Sequence, residues 1–240
     1  MKKVSIVSRF KIIFKLYLRK LKILDLIYSL SFWKEKHKAV KDSFIENAPN
    51  VLALVVKEIS LKNKEPIWPT FGTLLGLARD KKIISYDRDL DFGYFYSLGS
   101  QHRICEKFIN LGFTHNMRCY VDDIVVLDKF TFNNVETDIY YFFDEKENYV
   151  SYDFEQDGIL SVEDNITLGK KIHPYKSVYS KFELKLYSID KLNFLVPQPI
   201  ENHLIELYGP NYKIPDKNWH DNKRIKRFKV KNAKSKFVYI

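Results

Sequence analysis

The 240-residue chain has only two cysteines, Cys105 and Cys119, at a spacing that suits neither a metal knuckle nor a disulfide framework. That argues against a small stapled scaffold and for a reducing compartment. Glycine and proline number eight each, too few for a low-complexity or collagen-like chain. No uncharged apolar run approaches the roughly 18–20 residues that a membrane-spanning helix needs. The basic N-terminus lacks the apolar stretch and small-residue cleavage site of a secretory leader. Acid is missing at both ends: residues 1–24 hold eight Lys and Arg and no Asp or Glu, and residues 222–240 do the same.

What the chain has in quantity is apolar and aromatic side chains, 45% and 15% of its residues. That supports a sizeable core and argues against global disorder. The length suits one large domain, or one domain with appendages. The net charge is +10, yet the 24 Lys and Arg outside the two ends face 30 Asp and Glu. A mildly acidic body thus lies between basic ends, which suits an anionic partner surface. Those ends carry no RNA or DNA motif, so nucleic acid is not expected. Residues 9–30 read as a basic amphipathic helix. Ile13, Leu16, Tyr17, Leu21, Leu24 and Ile27 recur at helical spacing, and Lys11, Lys15, Arg19 and Lys22 line another face. Such a helix either lies on an anionic membrane or docks on its own domain with a solvated lysine face. The first leads to the expectation of a cytoplasmic protein held peripherally at the inner face of the cytoplasmic membrane.

Local patterns predict a helix over residues 50–62 with Asn50 as N-cap, a short extended piece at 66–71, and a helix at 72–78. A strand at 89–96 and a helix at 100–112 follow. Residues 119–145 read as neighbouring strands with a turn at Asn133–Asn134. Two short strands are expected within 180–198, a helix at 199–209 between Pro199 and Gly209, and a loosely ordered tail after Lys223. Three segments follow: a basic helical 1–45, a main domain 46–221 that holds the mixed sheet, and a basic tail 222–240. The mixture without steady βαβ alternation favours an α/β (α+β) architecture, a mixed sheet flanked by helices.

The chemistry concentrates in "FGTLLGLARDKKIISYDRDLDFGYF", residues 71–95. Asp87, Asp89 and Asp91 stand on alternate residues ahead of an apolar run. On a strand Asp89 and Asp91 point the same way, roughly 7 Å apart, while Leu90 and Phe92 point into the core. Their repulsion is relieved by a hard divalent cation, Mg²⁺ or Mn²⁺, which prefers oxygen ligands. Asp138 in "VETDIYYFF" is another acid heading an apolar strand, and pairing the two strands would bring it to the same metal. Gly72 permits close backbone approach, and the amides around Thr73 at a helix start suit a phosphate oxygen. Arg79 either reaches a phosphate or pairs with one of the aspartates. His173 and the aromatic residues Tyr208, Tyr212 and Trp219 are weaker candidates, for a base and for stacking on a nucleobase or sugar.

Phe71-Gly72-Thr73, Asp89-Leu90-Asp91 and Thr137-Asp138-Ile139 together resemble the three-part signature of the nucleotidyltransferase superfamily. More narrowly, "GTLLGLARDKKIISYDRDLDFG" resembles the core motif of the fukutin and LicD-type phosphotransferases. The resemblance extends through "VPQPIENHLIELYGPNYKIPDKNW" and covers roughly residues 66–220. One departure is Ser85, where the family usually carries Pro before the aromatic of the turn; it leaves the role of Asp87 less defined than those of Asp89 and Asp91. The resemblance implies a nucleotidyltransferase-like fold. It also implies transfer of a phospho-alcohol (ribitol phosphate, glycerol phosphate or phosphocholine) from a CDP-linked donor to a sugar hydroxyl of a cell-surface glycan, the acceptor in some cases lipid-linked. Asp89, Asp91 and Asp138 would hold the metal, with Asp138 or Asp87 taking the acceptor proton. The Lys-, Asn-, Ile- and Tyr-rich composition fits a bacterial capsule or lipopolysaccharide setting. The alternatives are a glycosyltransferase using Asp-x-Asp with a nucleotide-sugar, and a non-enzymatic basic membrane-binding protein.

Overall fold

The computed structural model describes residues 6–20, 31–154, 162–168, 171–217, 219, 221–224 and 226–240. Helix α1 spans Ile6–Lys20; residues 21–30 of the predicted N-terminal helix lie outside the described residues. Helix α2 spans Ser31–Leu54 and runs on as a π-helical stretch, Val55–Lys62. Asn50 is therefore not a cap but an interior residue, directly after Pro49. Phe44, Ala48, Val51, Leu52, Val55, Val56 and Ile59 form one buried stripe across that proline. The stripe's burial outweighs the one backbone hydrogen bond that Pro49 removes. The boundary expected at residue 45 falls inside this helix.

The remaining elements follow in chain order. They are β1 (Ile67–Pro69), α3 (Phe71–Asp80), β2 (Asp89–Phe95), α4 (Ser100–Asn110), β3 (Thr114–Val121), β4 (Ile124–Phe132) and β5 (Val135–Glu145). Then come β6 (Asn148–Phe154), α5 (Val162–Leu168), β7 (Pro174–Ser180), β8 (Glu183–Ile189), β9 (Leu192–Gln198), α6 (Ile200–Tyr208), a 3₁₀ turn at Asp221–Lys223, β10 (Arg227–Lys229) and β11 (Ser235–Tyr239). Among the described residues no helix is long and apolar enough to cross a membrane.

Strand β5 organises a nine-stranded mixed sheet. One edge of β5 pairs antiparallel with β4. The other pairs parallel with β2 and, from Phe143 onward, antiparallel with β6. Strand β1 lies on the far side of β2, while β3 and β11 extend one flank and β7 and β10 the other. Strands β8 and β9 form a separate hairpin. The β3–β4 and β4–β5 hairpins turn on Asp122–Asp123 and Asn133–Asn134, all four with positive φ. Asn and Asp tolerate that backbone, which matches the twist of the flanking strands. The core is aromatic: Trp68, Phe92, Tyr94, Tyr141 and Phe142 are all buried. The Trp68 ring lies directly on the Gly93 backbone, where any Cβ would collide with it.

The tail expected to be loose is instead built into the sheet. Strand β10 pairs with β7, and β11 pairs with β3 over Ser235–Tyr239. Its basic side chains find acids: Arg227 donates to both oxygens of Asp153, and Lys226 to Glu206. Strands β6 and β7 also went unread in the sequence, because partial burial on both faces gives them no clean alternation.

Candidate active site

Strand β2 alternates, so Leu90 and Phe92 are fully buried while Asp89 and Asp91 face the other way. The parallel register with β5 sets Asp91 directly beside Asp138. One carboxylate oxygen each from Asp89, Asp91 and Asp138 then lies within 4.8 Å of the others. Asp87, in the loop before β2, is not part of this oxygen cluster.

The helix that follows β1 clamps the strand. The Thr73 hydroxyl accepts the Asp91 backbone N–H at 2.8 Å, and the Thr70 N–H donates to the Asp91 carbonyl at 2.9 Å. Both backbone groups of the central acid are thus fixed from the first turn of α3. The Thr73 side chain is committed to that bond and is 1% exposed. Gly72 has a matching reason: the Asp87 carboxylate lies against its backbone, and a Cβ there would collide with Asp87 Oδ2. The Arg88 N–H donates to Asp87 Oδ1 at 3.2 Å.

Burial and mutual repulsion shape the electrostatics. Burial first, then the Asp87 charge, pushes Asp89 up to about 6. Asp138 rises to about 7 through burial, against the pull of Lys129. Asp91 is carried well above the usual carboxylate range by burial and by Asp89 and Asp87. Lys129 Nζ sits 3.2 Å from Asp138 Oδ2, while Oδ1 of the same carboxylate is buried with no hydrogen-bond partner among the described residues. A buried carboxylate oxygen with no donor is costly, and a bound cation removes that cost. The all-oxygen donor set suits a hard divalent ion.

Asp89 and Asp91 line a cavity of about 540 Å³ together with Asp87, Gly72 and Arg79; Asp138 is not part of its lining and joins the cluster from β5. Arg79 donates through Nε and Nη2 to its neighbour Asp80 at 2.9 and 2.7 Å, rather than to any of the three acids. The C-terminal part adds Tyr208, Tyr212, Trp219, Asp221 and Arg224 to the lining. The Tyr208 and Trp219 rings pack on each other at 4.5 Å. The Arg224 guanidinium lies 4.4 Å from the Phe71 ring centroid and donates to Asp221 Oδ1 at 2.6 Å. His173, ahead of β7, does not line the cavity.

Lys129, Tyr140, Asp221 and Arg224 were not singled out from the sequence. Lys129 was within reach: a two-residue turn at Asn133–Asn134 pairs Phe132 with Val135 and, three steps on, Lys129 with Asp138. Asp221 and Arg224 had no local signal, since only the docking of the tail brings them to the cavity.

A second cluster, Cys105, His115 and Asp128, also falls within 4.8 Å. Here Asp128 is already saturated by His115 at 2.7 Å, Arg118 at 2.7 and 3.0 Å and the Tyr141 hydroxyl at 2.7 Å. Those bonds hold the Asp128 carboxyl below its usual range against the opposing effect of burial, and burial lifts the Cys105 thiol to about 12. Arg118 occupies the place of a cation, so this is a structural network.

A family model described as "LicD/FKTN/FKRP, nucleotidyltransferase domain" matches residues 64–197. The chain is also similar to proteins named ribitol-5-phosphate transferase FKTN. It is 27% identical to that of Macaca fascicularis and 26% to that of Homo sapiens, each over 178 residues and 74% of this chain. It is 28% identical to that of Mus musculus over 73% of this chain. The matched stretch is 35% of the length of each relative.

Proposed function

The chain belongs to the LicD/FKTN/FKRP nucleotidyltransferase family, and on that premise we propose a metal-dependent phosphotransferase. It moves a phospho-alcohol from a CDP-linked donor to a sugar hydroxyl of a cell-surface glycan. The observation that carries this reading is the convergence of Asp89, Asp91 and Asp138 beside a cavity large enough for a nucleotide-linked donor. The relatives' name makes ribitol 5-phosphate the first group to test.

Asp89, Asp91 and Asp138 would hold Mg²⁺ or Mn²⁺. When bound, the ion supplies charge neutralisation for a diphosphate. The chain's own groups do the rest. Thr73 and Thr70 hold Asp91 rigid, so its carboxylate does not reorganise during reaction. Arg79 and Arg224 line the cavity, and their guanidinium groups, each paired with an acid, would meet the phosphate oxygens of a donor there. Asp87 stands outside the oxygen cluster, and burial raises its pKa. It therefore serves as the base: it takes the proton of the acceptor hydroxyl as the new oxygen–phosphorus bond forms and CMP leaves.

The test is a mass-spectrometric screen of CDP-ribitol, CDP-glycerol and CDP-choline with Mg²⁺ against glycan acceptors. Transfer by the wild type and its loss in Asp91→Asn are expected. Turnover of UDP-sugars in place of CDP-alcohols would favour the glycosyltransferase alternative, and full activity in Asp89→Asn and Asp91→Asn would remove the catalytic reading altogether.

A further inference from the structure

Helix α1 carries two apolar faces. On one, Ile12 is buried and Leu16 half-buried, and Arg9 Nε donates to the Thr167 carbonyl of α5 at 3.1 Å. That side is spent on the protein body. On the other stand Phe10, Ile13, Phe14 and Tyr17, 67%, 56%, 51% and 58% exposed. They occupy positions i, i+3, i+4 and i+7, so they form one stripe two turns long. The Phe10 and Phe14 rings stack with centroids 6.2 Å apart. Single exposed apolar side chains are ordinary; four large ones in one stripe call for a partner. The structure also redraws the face read from the sequence, since Leu16 turns inward and Phe10 and Phe14 join Ile13 and Tyr17.

We propose that the Phe10–Ile13–Phe14–Tyr17 stripe docks on an anionic lipid bilayer. The charge selects this occupant. Residues 1–24 hold eight Lys and Arg and no acid, and Lys11 is exposed beside the stripe. A second copy would bring a segment of the same net positive charge against itself. An anionic headgroup layer supplies the opposite sign, and the acyl boundary beneath it accepts aromatic side chains. The inference stands apart from the transfer chemistry and holds whatever the cavity binds.

The test uses the full-length protein and sedimentation with vesicles of phosphatidylcholine, with and without phosphatidylglycerol. Binding to the mixed vesicles is expected, with a partition coefficient about tenfold or more lower on phosphatidylcholine alone and a similar fall in high salt. Phe10→Ser with Phe14→Ser should cost about tenfold or more without changing the melting temperature. Lys11→Glu should weaken binding, and Phe14→Trp should shift its emission to shorter wavelength only with the anionic vesicles. Wild-type binding by the double serine variant would overturn the proposal, as would equal binding to both vesicle types. So would a solution dimer that the double variant splits into monomers, because the stripe would then be an interface between copies.

Discussion

Replacing Thr73 by valine isolates one bond. Valine keeps the shape of threonine and exchanges the hydroxyl for a methyl group. In the folded protein that hydroxyl accepts the Asp91 N–H at 2.8 Å, at a site 1% exposed. Without it the N–H is buried and unsatisfied, which costs about 1–3 kcal/mol. The added methyl returns at most about 0.8 kcal/mol. The net loss is about 0.2–2 kcal/mol, or up to about 8 °C in melting temperature for a chain of this size. The effect on the site is larger, because Asp91 loses one of its two backbone anchors. A displacement of about 1 Å in a reacting group costs about 100-fold in rate. Thr73→Ser is the control: it keeps the hydroxyl, loses a buried methyl worth about 1 kcal/mol, and so melts lower by a similar amount. Thermal unfolding and Mn²⁺ titration by calorimetry separate the two. Valine should weaken Mn²⁺ binding and transfer, whereas serine should leave both near wild type. If valine and serine variants bind Mn²⁺ alike, the bond does not position Asp91 and the argument fails.

The raised carboxyl pKa values set a pH dependence. Asp89 and Asp138 hold their protons in the folded protein to about 6 and about 7, while the unfolded chain releases them near 4. The metal-free protein should therefore lose stability as pH rises from about 4 through about 7. Mg²⁺ should restore more stability at pH 8 than at pH 5, since the ion binds carboxylates and not their acids. Melting curves in EDTA and in Mg²⁺ read both effects. Comparison with Asp138→Asn removes the opposing contribution of buried His203, which burial pulls down to about 4. A slope identical in the variant would contradict the assignment. Gly72→Ala should drive the Asp87 carboxylate off the first turn of α3. Transfer should fall about tenfold or more while Mn²⁺ affinity changes little, because Asp87 lies outside the cluster; parallel loss of both would place Asp87 among the ligands instead.

The parts of this site that lie within one element were legible in the sequence. Alternation along residues 89–92 puts Asp89 and Asp91 on one face and Leu90 and Phe92 in the core, and the carboxylate oxygens of the two acids do converge while Leu90 and Phe92 are fully buried. The Asn133–Asn134 turn was read from side chains that accept positive φ. The start of helix α2 is not legible at Asn50, a cap-forming residue, because the buried stripe from Phe44 carries the helix through Pro49. The apolar N-terminal face was misassigned at Leu16 because periodicity does not say which of two apolar faces the body will take.

The available chemistry is written in the chain: a Gly-Thr helix start, acids on alternate residues, a further acid at the head of an apolar strand, and basic ends. Each follows from side-chain type and local backbone period. Folding of distant segments onto one another makes β2 and β5 parallel with Asp91 beside Asp138, gives Thr73 to Asp91, and brings the tail into the sheet with Asp221 and Arg224 at the cavity. The physical reason is that strand register between distant segments is fixed by burying both apolar faces at once. That condition involves the whole core, and no single stretch of the chain contains it.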